Sequence, residues 1–328
     1  MVLMATTSTS DIGKLITDRL GRFGELALLV GAIVLLSGIF TATSPSFLSI
    51  GNFVNIIRQT AIVIVLGLGM TYVIISAEID VSIGGVMALS AVSAGLVINA
   101  VGPFAGAVVG LLVGLGFGLA NGLVTIRFGI PSFIVTIGTL GIARGAAFIV
   151  SQQRPIIVRN AAFETAFGGT VGPVPVLILW AVGLAIVAGI ALWRTRFGRH
   201  VYATGDSEQA SRYSGINTDR VKIMTLALAG LAAGIAGLLF IGRLGAARAD
   251  MASGIELAVI AAVIIGGTSL FGGRGSIIGT ILGALLISVI DNGLTLLGFG
   301  SSWQQLIRGV VIIAAVALRD KDEEGSFL

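Results

Sequence analysis

Residues 194–222 read RTRFGRHVYATGDSEQASRYSGINTDRVK, and what surrounds this run decides the fold. It carries Arg194, Arg196, Arg199, Arg212, Arg220 and Lys222, and it is the longest polar stretch between two apolar halves. The chain has 328 residues, of which 55% are hydrophobic and only 11% charged, and its mean hydropathy is +1.04. A soluble domain carries about 25% charged residues. A chain this apolar cannot cover its own surface in water, so it reads as an all-α integral membrane protein in a lipid bilayer. Net charge is +4, without the clustered basic face that nucleic acid requires. Cysteine is absent and His200 is the single histidine, which rules out disulfides, thiolate metal sites and histidine clusters. No metal and no cofactor are expected.

A membrane helix needs about 20 mainly apolar residues. That length places spans near 25–43, 54–76, 83–101, 104–126, 131–150, 174–193, 221–243, 255–271, 275–297 and 303–319, about ten in all. Ahead of them, residues 1–25 are polar, with Ile12, Leu15, Ile16, Leu20 and Phe23 at helical spacing. That pattern suggests a short amphipathic helix on the membrane surface. Residues 26–319 form one membrane domain and 320–328 a polar tail. Cytoplasmic loops collect Lys and Arg. With the N-terminus inside, Arg127, the 194–222 loop, Arg274, Arg319 and Lys321 all fall on the cytoplasmic side, and so does the tail. The 151–175 loop then faces out, and its Phe163 and Phe167 are either turn material or part of a docking surface.

Glycine is abundant, and Gly106, Gly110, Gly114, Gly118 and Gly122 recur at every fourth position. This makes one flat helix face, suited to close helix packing. The two halves also resemble each other. Ile79-Asp80-Val81, Asn121-Gly122-Leu123 and Arg144-Gly145 reappear in order as Ile255-Glu256-Leu257, Asn292-Gly293-Leu294 and Arg308-Gly309. Repeats spanning 2–5 and 7–10 are offset by an odd number of spans, so one is inverted relative to the other. Inverted repeats that rock about a site near the midplane are a recurrent device for moving a solute.

Charges inside hydrocarbon are costly and rare. Glu78 and Asp80 read as span-end groups satisfied by water, and Glu256 opens span 8. Arg144 and Arg308 sit deeper and call for acidic partners across the repeat interface, in preference to solute contact. Asn121 and Asn292 bond either a neighbouring helix or a polar solute, and Thr136, Thr139 and Ser132 could line a polar path. The candidate translocation residues are thus Asp80, Asn121, Thr136, Glu256 and Asn292. No catalytic constellation is present: there is no phosphate-cradling Gly-x-x-x-x-Gly-Lys-Ser/Thr, no His-Glu-x-x-His and no nucleophile elbow.

Within the central loop, Asp206 reads as a helix cap with Gln209 as its capping-box partner, and Gly215 as the left-handed terminator. The enclosed helix, near 207–214, is about 12 Å long and too short to stand without docking on something. Here the sequence resembles a family. Arg196-Phe-Gly-Arg199, Tyr202-Ala-Thr-Gly205, Glu208, Ala210, Arg212 and Ser214-Gly-Ile-Asn217 look like the cytoplasmic coupling loop of ribose-type ABC importer permeases. Gly69-Met-Thr71 with Ile79-Asp80-Val-Ser82-Ile-Gly84, and Glu256 followed by Gly266-Gly-Thr-Ser269 and Gly272-Gly-Arg-Gly275, resemble two further motifs of that family. Glu78 departs from it, standing where a small residue is expected. The resemblance covers roughly 45–318. It implies ten spans, a homodimer of permease copies or a pair of close paralogues, a separate cytoplasmic ABC ATPase, and an extracytoplasmic sugar-binding protein that meets 151–175. It also implies an address in a bacterial inner membrane and import of a monosaccharide or related small solute. On this likeness Gly205, Asp206, Glu208, Ala210, Arg212, Tyr213, Ser214 and Gly215 couple to the ATPase. The competing readings are an ion-coupled secondary transporter of sugars or nucleosides, with Asp80, Glu256 or Asp291 carrying protons, and a structural or channel-like subunit.

Overall fold

The computed structural model describes residues 22–310 and 313. The amphipathic segment expected before residue 22, residues 311–312 and 314–319 of the span expected at 303–319, and the 320–328 tail lie outside the described residues. Thirteen described helices carry names here. The first five are α1 (Arg22–Thr43), α2 (Ile50–Ile75), α3 (Ile83–Ala100), α4 (Pro103–Phe128) and α5 (Ser132–Val150). They are followed by α6 (Ala161–Phe167), α7 (Val176–Arg194), α8 (Arg196–Asp206) and α9 (Glu208–Tyr213). The last are α10 (Thr218–Leu244), α11 (Ile255–Ile265), α12 (Ile277–Leu296) and α13, described over 301–310. Eight of these are long and apolar enough to cross a membrane: α1 to α5, α7, α10 and α12. The span expected at 255–271 is instead the shorter α11, with residues 266–276 turning back toward α12.

Burial sorts the helices into two layers. Most of α2, α3, α10 and α12 is buried, whereas less than a third of α1, α4, α5 and α7 is. An outer ring that shows apolar side chains is expected where the surrounding solvent is lipid. Polar caps open several helices: Ser49 accepts from the Asn52 amide, Asn217 from Arg220 and Ser276 from Gly279.

The most extensive helix–helix contact among the described residues joins α4 to α10. Gly106, Gly110, Gly114, Gly118 and Gly122 are all buried. A Cβ on Gly114 would overlap the Gly230 carbonyl oxygen, one on Gly118 would lie 2.5 Å from the Leu226 oxygen, and one on Gly122 2.7 Å from the Ile223 Cα. Gly106 meets α3, at Ile98 and Ala94, and Gly110 touches both Ala94 of α3 and Leu238 of α10. The every-fourth glycine pattern thus does what its spacing predicts: it lets backbones touch.

The chain's two ends of the bundle can be told apart by their contacts. At the end carrying residues 195–217, Gly205 lies against Ile75 and Gly273, and the Ile79 amide donates to Ser132 Oγ at 3.1 Å. At the opposite end, β1 (Ile156–Ile157) pairs antiparallel with β4 (Ala246–Ala247), and Asn99 Nδ2 donates to the Ile157 carbonyl at 2.8 Å. A small hairpin of β2 (Thr170–Val171) and β3 (Val174–Pro175) precedes α7. Of the two loop aromatics, Phe163 is turned inward and Phe167 is half-buried. Phe163 is buried, its ring stacks on Phe167 at 4.8 Å, and Phe167 stacks on Trp180 at 5.5 Å.

Candidate functional site

Two connectors interrupt the bundle. Residues 76–82 join α2 to α3 from the 195–217 end, and residues 245–254 join α10 to α11 from the other. Each holds an alanine in the left-handed region, Ala77 at φ 60° and Ala252 at φ 62°. Alanine pays strain there, which surrounding contacts must offset. The connectors dip toward each other. A Cβ on Gly84, in the first turn of α3, would overlap the Glu256 carboxylate in the first turn of α11. Two helix N-termini that start from opposite ends therefore meet within the bundle.

The first connector is held by a continuous polar chain. Asp80 Oδ1 accepts from the Ser82 amide at 2.8 Å and from Ser82 Oγ at 2.5 Å. Ser82 Oγ accepts from Asn121 Nδ2 at 2.9 Å, and Asn121 Oδ1 accepts from Thr139 Oγ1 at 2.6 Å. Thr136 Oγ1 accepts from the Val81 amide at 3.2 Å. Asp80, Asn121 and Thr136 are thus gathered at one place, with Glu256 across from it at Gly84. Asn292 lies elsewhere: it exchanges two amide bonds with Asn52, at 2.9 and 2.8 Å. Both asparagines bond neighbouring helices here.

Glu78 and Asp80 are not water-satisfied span ends. They are 7% and 1% exposed, because the connector is drawn into the bundle and does not lie on its rim. Arg144 and Arg308 both find acids, but only Arg144 reaches across to the other proposed repeat, whereas the Arg308 partner lies within its own. Arg144 lies 3.7 Å from Glu256, and Arg308 grips Asp291 through Nη2 at 2.6 Å and Nε at 3.1 Å. Asp80 Oδ2 and Glu256 Oε2 are buried without a hydrogen-bond partner among the described residues. Beside the second connector lies a cavity of about 370 Å³ lined by Gln59, Arg243, Ser253, Asp291, Gln304 and Arg308 among others. No group of acids and histidines able to hold a metal occurs among the described residues.

The central polar run is two helices, not a loop with one. Thr195 caps α8 by accepting from Gly198 at 3.2 Å. The buried face of α8 carries Gly198, Val201, Thr204 and Gly205. Phe197 stacks on Tyr72 at 5.9 Å, and Tyr202 donates from its hydroxyl to the Gly275 carbonyl at 2.9 Å. Gly205 touches the bundle directly: a Cβ there would overlap the Ile75 carbonyl and stand 2.7 Å from the Gly273 nitrogen.

Asp206 is the last residue of α8 and not the cap of the next helix. Ser207 is that cap, accepting from the Ala210 amide at 3.3 Å, because α8 continues to Asp206 and leaves only Ser207 extended. Gln209 forms no capping box and reaches Tyr213 Oη at 3.5 Å. Gly215 ends the turn at φ 82°, as its type predicts. On α9, Gln209, Ala210, Arg212 and Tyr213 are exposed, with Tyr213 at 83%, and Ser211 alone is buried.

Charges fasten α9 to the bundle. Glu208 Oε1 accepts from Arg212 at 2.8 Å, and Arg212 also reaches Asp219 at 2.6 Å. Lys222 Nζ lies 2.8 Å from Glu208 Oε2 and 2.8 Å from Glu78 Oε1. The hydrogen bond from Lys222, aided by Arg212 and opposed by partial burial, holds the Glu208 carboxyl below the ordinary carboxylate range. A carboxyl depressed in this way contributes stability above its unfolded pKa and loses it as pH falls through the folded value. The α9 attachment is therefore expected to persist from neutrality down to about pH 4.3 and to loosen only below it. An environment-sensitive label at Gln209 reads this, and a release midpoint above about pH 5 would contradict it.

Residues 52–316 match the family described as "Branched-chain amino acid transport system / permease component". The chain is 40% identical to the ribose import permease protein RbsC of Bacillus subtilis (strain 168), covering 93% of this chain and 94% of the relative. It is 37% identical to RbsC of Escherichia coli (strain K12), over 89% and 92%. It is 36% identical to the D-allose transport system permease protein AlsC of the same strain, over 92% and 91%. No solved structure matches this chain.

Proposed function

This chain belongs to the branched-chain amino acid and ribose permease family, and from that premise we propose that it is the transmembrane subunit of a sugar ABC importer. ATP is hydrolysed on a separate subunit, and this chain moves a monosaccharide or related small solute by alternating access. The names of the relatives, ribose and allose permeases, support that solute class. The observation that carries the reading is α9. In a chain otherwise built for lipid, one capped helix stands outside the bundle, fastened by charges and offering Tyr213 and Arg212 to a partner. Aromatic and arginine side chains are the groups that anchor protein interfaces most often.

The finer architecture we propose is about ten spans in two inverted sets, 2–5 and 7–10. Matching packing supports it. In that scheme α4 against α10 corresponds to α12 against α2, and α3 against α4 corresponds to α11 against α12, all of which are in contact. The left-handed alanines of the two connectors fit the same correspondence. The distribution of basic residues supports an orientation with both termini and 195–217 on the cytoplasmic side of a bacterial inner membrane. A second permease copy completes the pathway, and a sugar-binding protein meets 151–175 outside. The cavity beside the second connector suits one sugar ring, since small-molecule sites run about 300–1,000 Å³. Ion coupling is disfavoured by the grip of Arg308 on Asp291, which leaves that carboxylate poorly placed to carry protons.

Gly215→Pro tests the proposal. Proline fixes φ near about −65° and lacks an N–H. The substitution therefore abolishes the left-handed turn and the bond from Gly215 N–H to the Arg212 carbonyl, 3.0 Å. In proteoliposomes holding permease, ATPase and binding protein, the variant is expected to insert normally yet lose about tenfold or more in ATP-driven uptake of labelled pentose. Uptake by the purified chain alone under a pH gradient would sink the importer reading.

A further inference from the structure

We propose that Lys222 is the positioning residue through which displacement of α9 reaches the connector at the head of α3. This rests on the reading above of α9 as the contact for an ATPase. Lys222 lies in the first two turns of α10, and its side chain is 13% exposed. Its ammonium stands 2.8 Å from a carboxylate on α9, Glu208, and 2.8 Å from a carboxylate on the connector, Glu78. An ammonium has three donors on a flexible stem, so it can hold two carboxylates and follow either as it moves. The Glu78 contact is sheltered and weakly screened by salt, whereas the Glu208 carboxylate is 39% exposed.

Each end of this link leads on to a further set of contacts. Glu208 belongs to a helix whose other face is exposed and whose charge is shared with Arg212 and Asp219. Glu78 follows the strained Ala77 and precedes three residues tied to other spans: Ile79 to Ser132, Asp80 to Ser82 and thence Asn121, and Val81 to Thr136. Through Ser82 the connector sets the first turn of α3, which faces Glu256 at Gly84. A pull on α9 is therefore passed by one cation to the place where the two connectors meet.

The test uses the whole complex in proteoliposomes and reads ATP hydrolysed against sugar imported. Lys222→Met is expected to lower uptake about tenfold while ATP turnover changes by less than about twofold. Lys222→Arg, which keeps the charge, is expected to stay within about threefold of the parent in uptake. Glu78→Gln combined with Lys222→Met is expected to transport no worse than Lys222→Met alone, since the two residues act as one unit. That double variant buries no lone charge, so it is read in place of Lys222→Met should the single variant fail to insert. Unchanged uptake in Lys222→Met, a proportional fall of uptake and hydrolysis, additive losses in the double variant, or failure of both variants to reach the membrane would each overturn the proposal. Retained uptake in Gly215→Pro would instead strike at the reading of α9 itself.

Discussion

Replacing Gly114 by leucine is expected to leave almost no folded protein in the membrane fraction. At this position α4 and α10 touch backbone to backbone, and even a Cβ would overlap the Gly230 carbonyl. Neither atom is the tip of a flexible side chain, so relief requires the helices to separate. Separation also undoes the contacts of Gly118 with Leu226 and of Gly122 with Ile223, because all lie on one face. Overpacking a core by small increments costs about 1–3 kcal/mol, and prising apart two backbones costs more than that upper figure. Against a folding stability of about 5–15 kcal/mol, this is a large share. Gly116 provides the control: it is exposed, with nothing within 4 Å of its would-be Cβ. Gly116→Leu is expected to match the parent in thermal unfolding in detergent, while Gly114→Leu elutes as aggregate or is absent. Equal melting of the two variants would refute the packing argument.

Arg308→Met is expected to produce the second largest loss. Asp291 is 3% exposed, and both of its oxygens take a hydrogen bond from Arg308. Removing the cation strands a buried carboxylate, a change that costs about 3–5 kcal/mol. Replacing both partners with apolar residues of similar volume is far milder, because no charge is left to desolvate. Arg308→Met with Asp291→Leu should therefore unfold at a higher temperature than Arg308→Met alone. If adding Asp291→Leu lowers the melting temperature further, the pair is not acting as a desolvated ion pair. Arg308 also donates to the Gly254 carbonyl at 3.4 Å, so recovery should be incomplete.

These effects differ in how far the sequence discloses them. The glycine face was legible because helix periodicity is local: every fourth residue falls on one side whatever packs there. Gly215 was legible for a similar reason, since a left-handed terminator is a property of a few neighbouring residues. The local pattern sets the start of α9 one residue early, at an Asp206 cap, because the amphipathic α8 extends to Asp206 only by burying Val201 and Gly205 against the bundle. Nothing in the local pattern of 76–82 says whether that connector rests on the rim or is drawn inward, so Glu78 and Asp80 looked wet. Phe163 and Phe167 looked available in a loop because the partner of their stack, Trp180, sits in the following span. The pairing of Lys222 with Glu78, and of Asn292 with Asn52, joins residues far apart in the chain, and single-residue types carry no signal for such pairs. The family motifs pointed to residues 194–222 as a whole but not to which residue holds α9 to the rest of the bundle.

The glycine face of α4 also sets a schedule for biosynthesis. Its partner on α10 is made roughly 100 residues later, and at about 5–20 residues per second the groove waits on the order of 10 s for its match. During that interval α4 stands in the bilayer with a trench of bare backbone along one side. Lipid tails or the insertion machinery must fill it meanwhile, and the arrival of α10 must expel them. Assembly of this protein is thus a late event, timed by its seventh span rather than by the order in which helices enter the membrane.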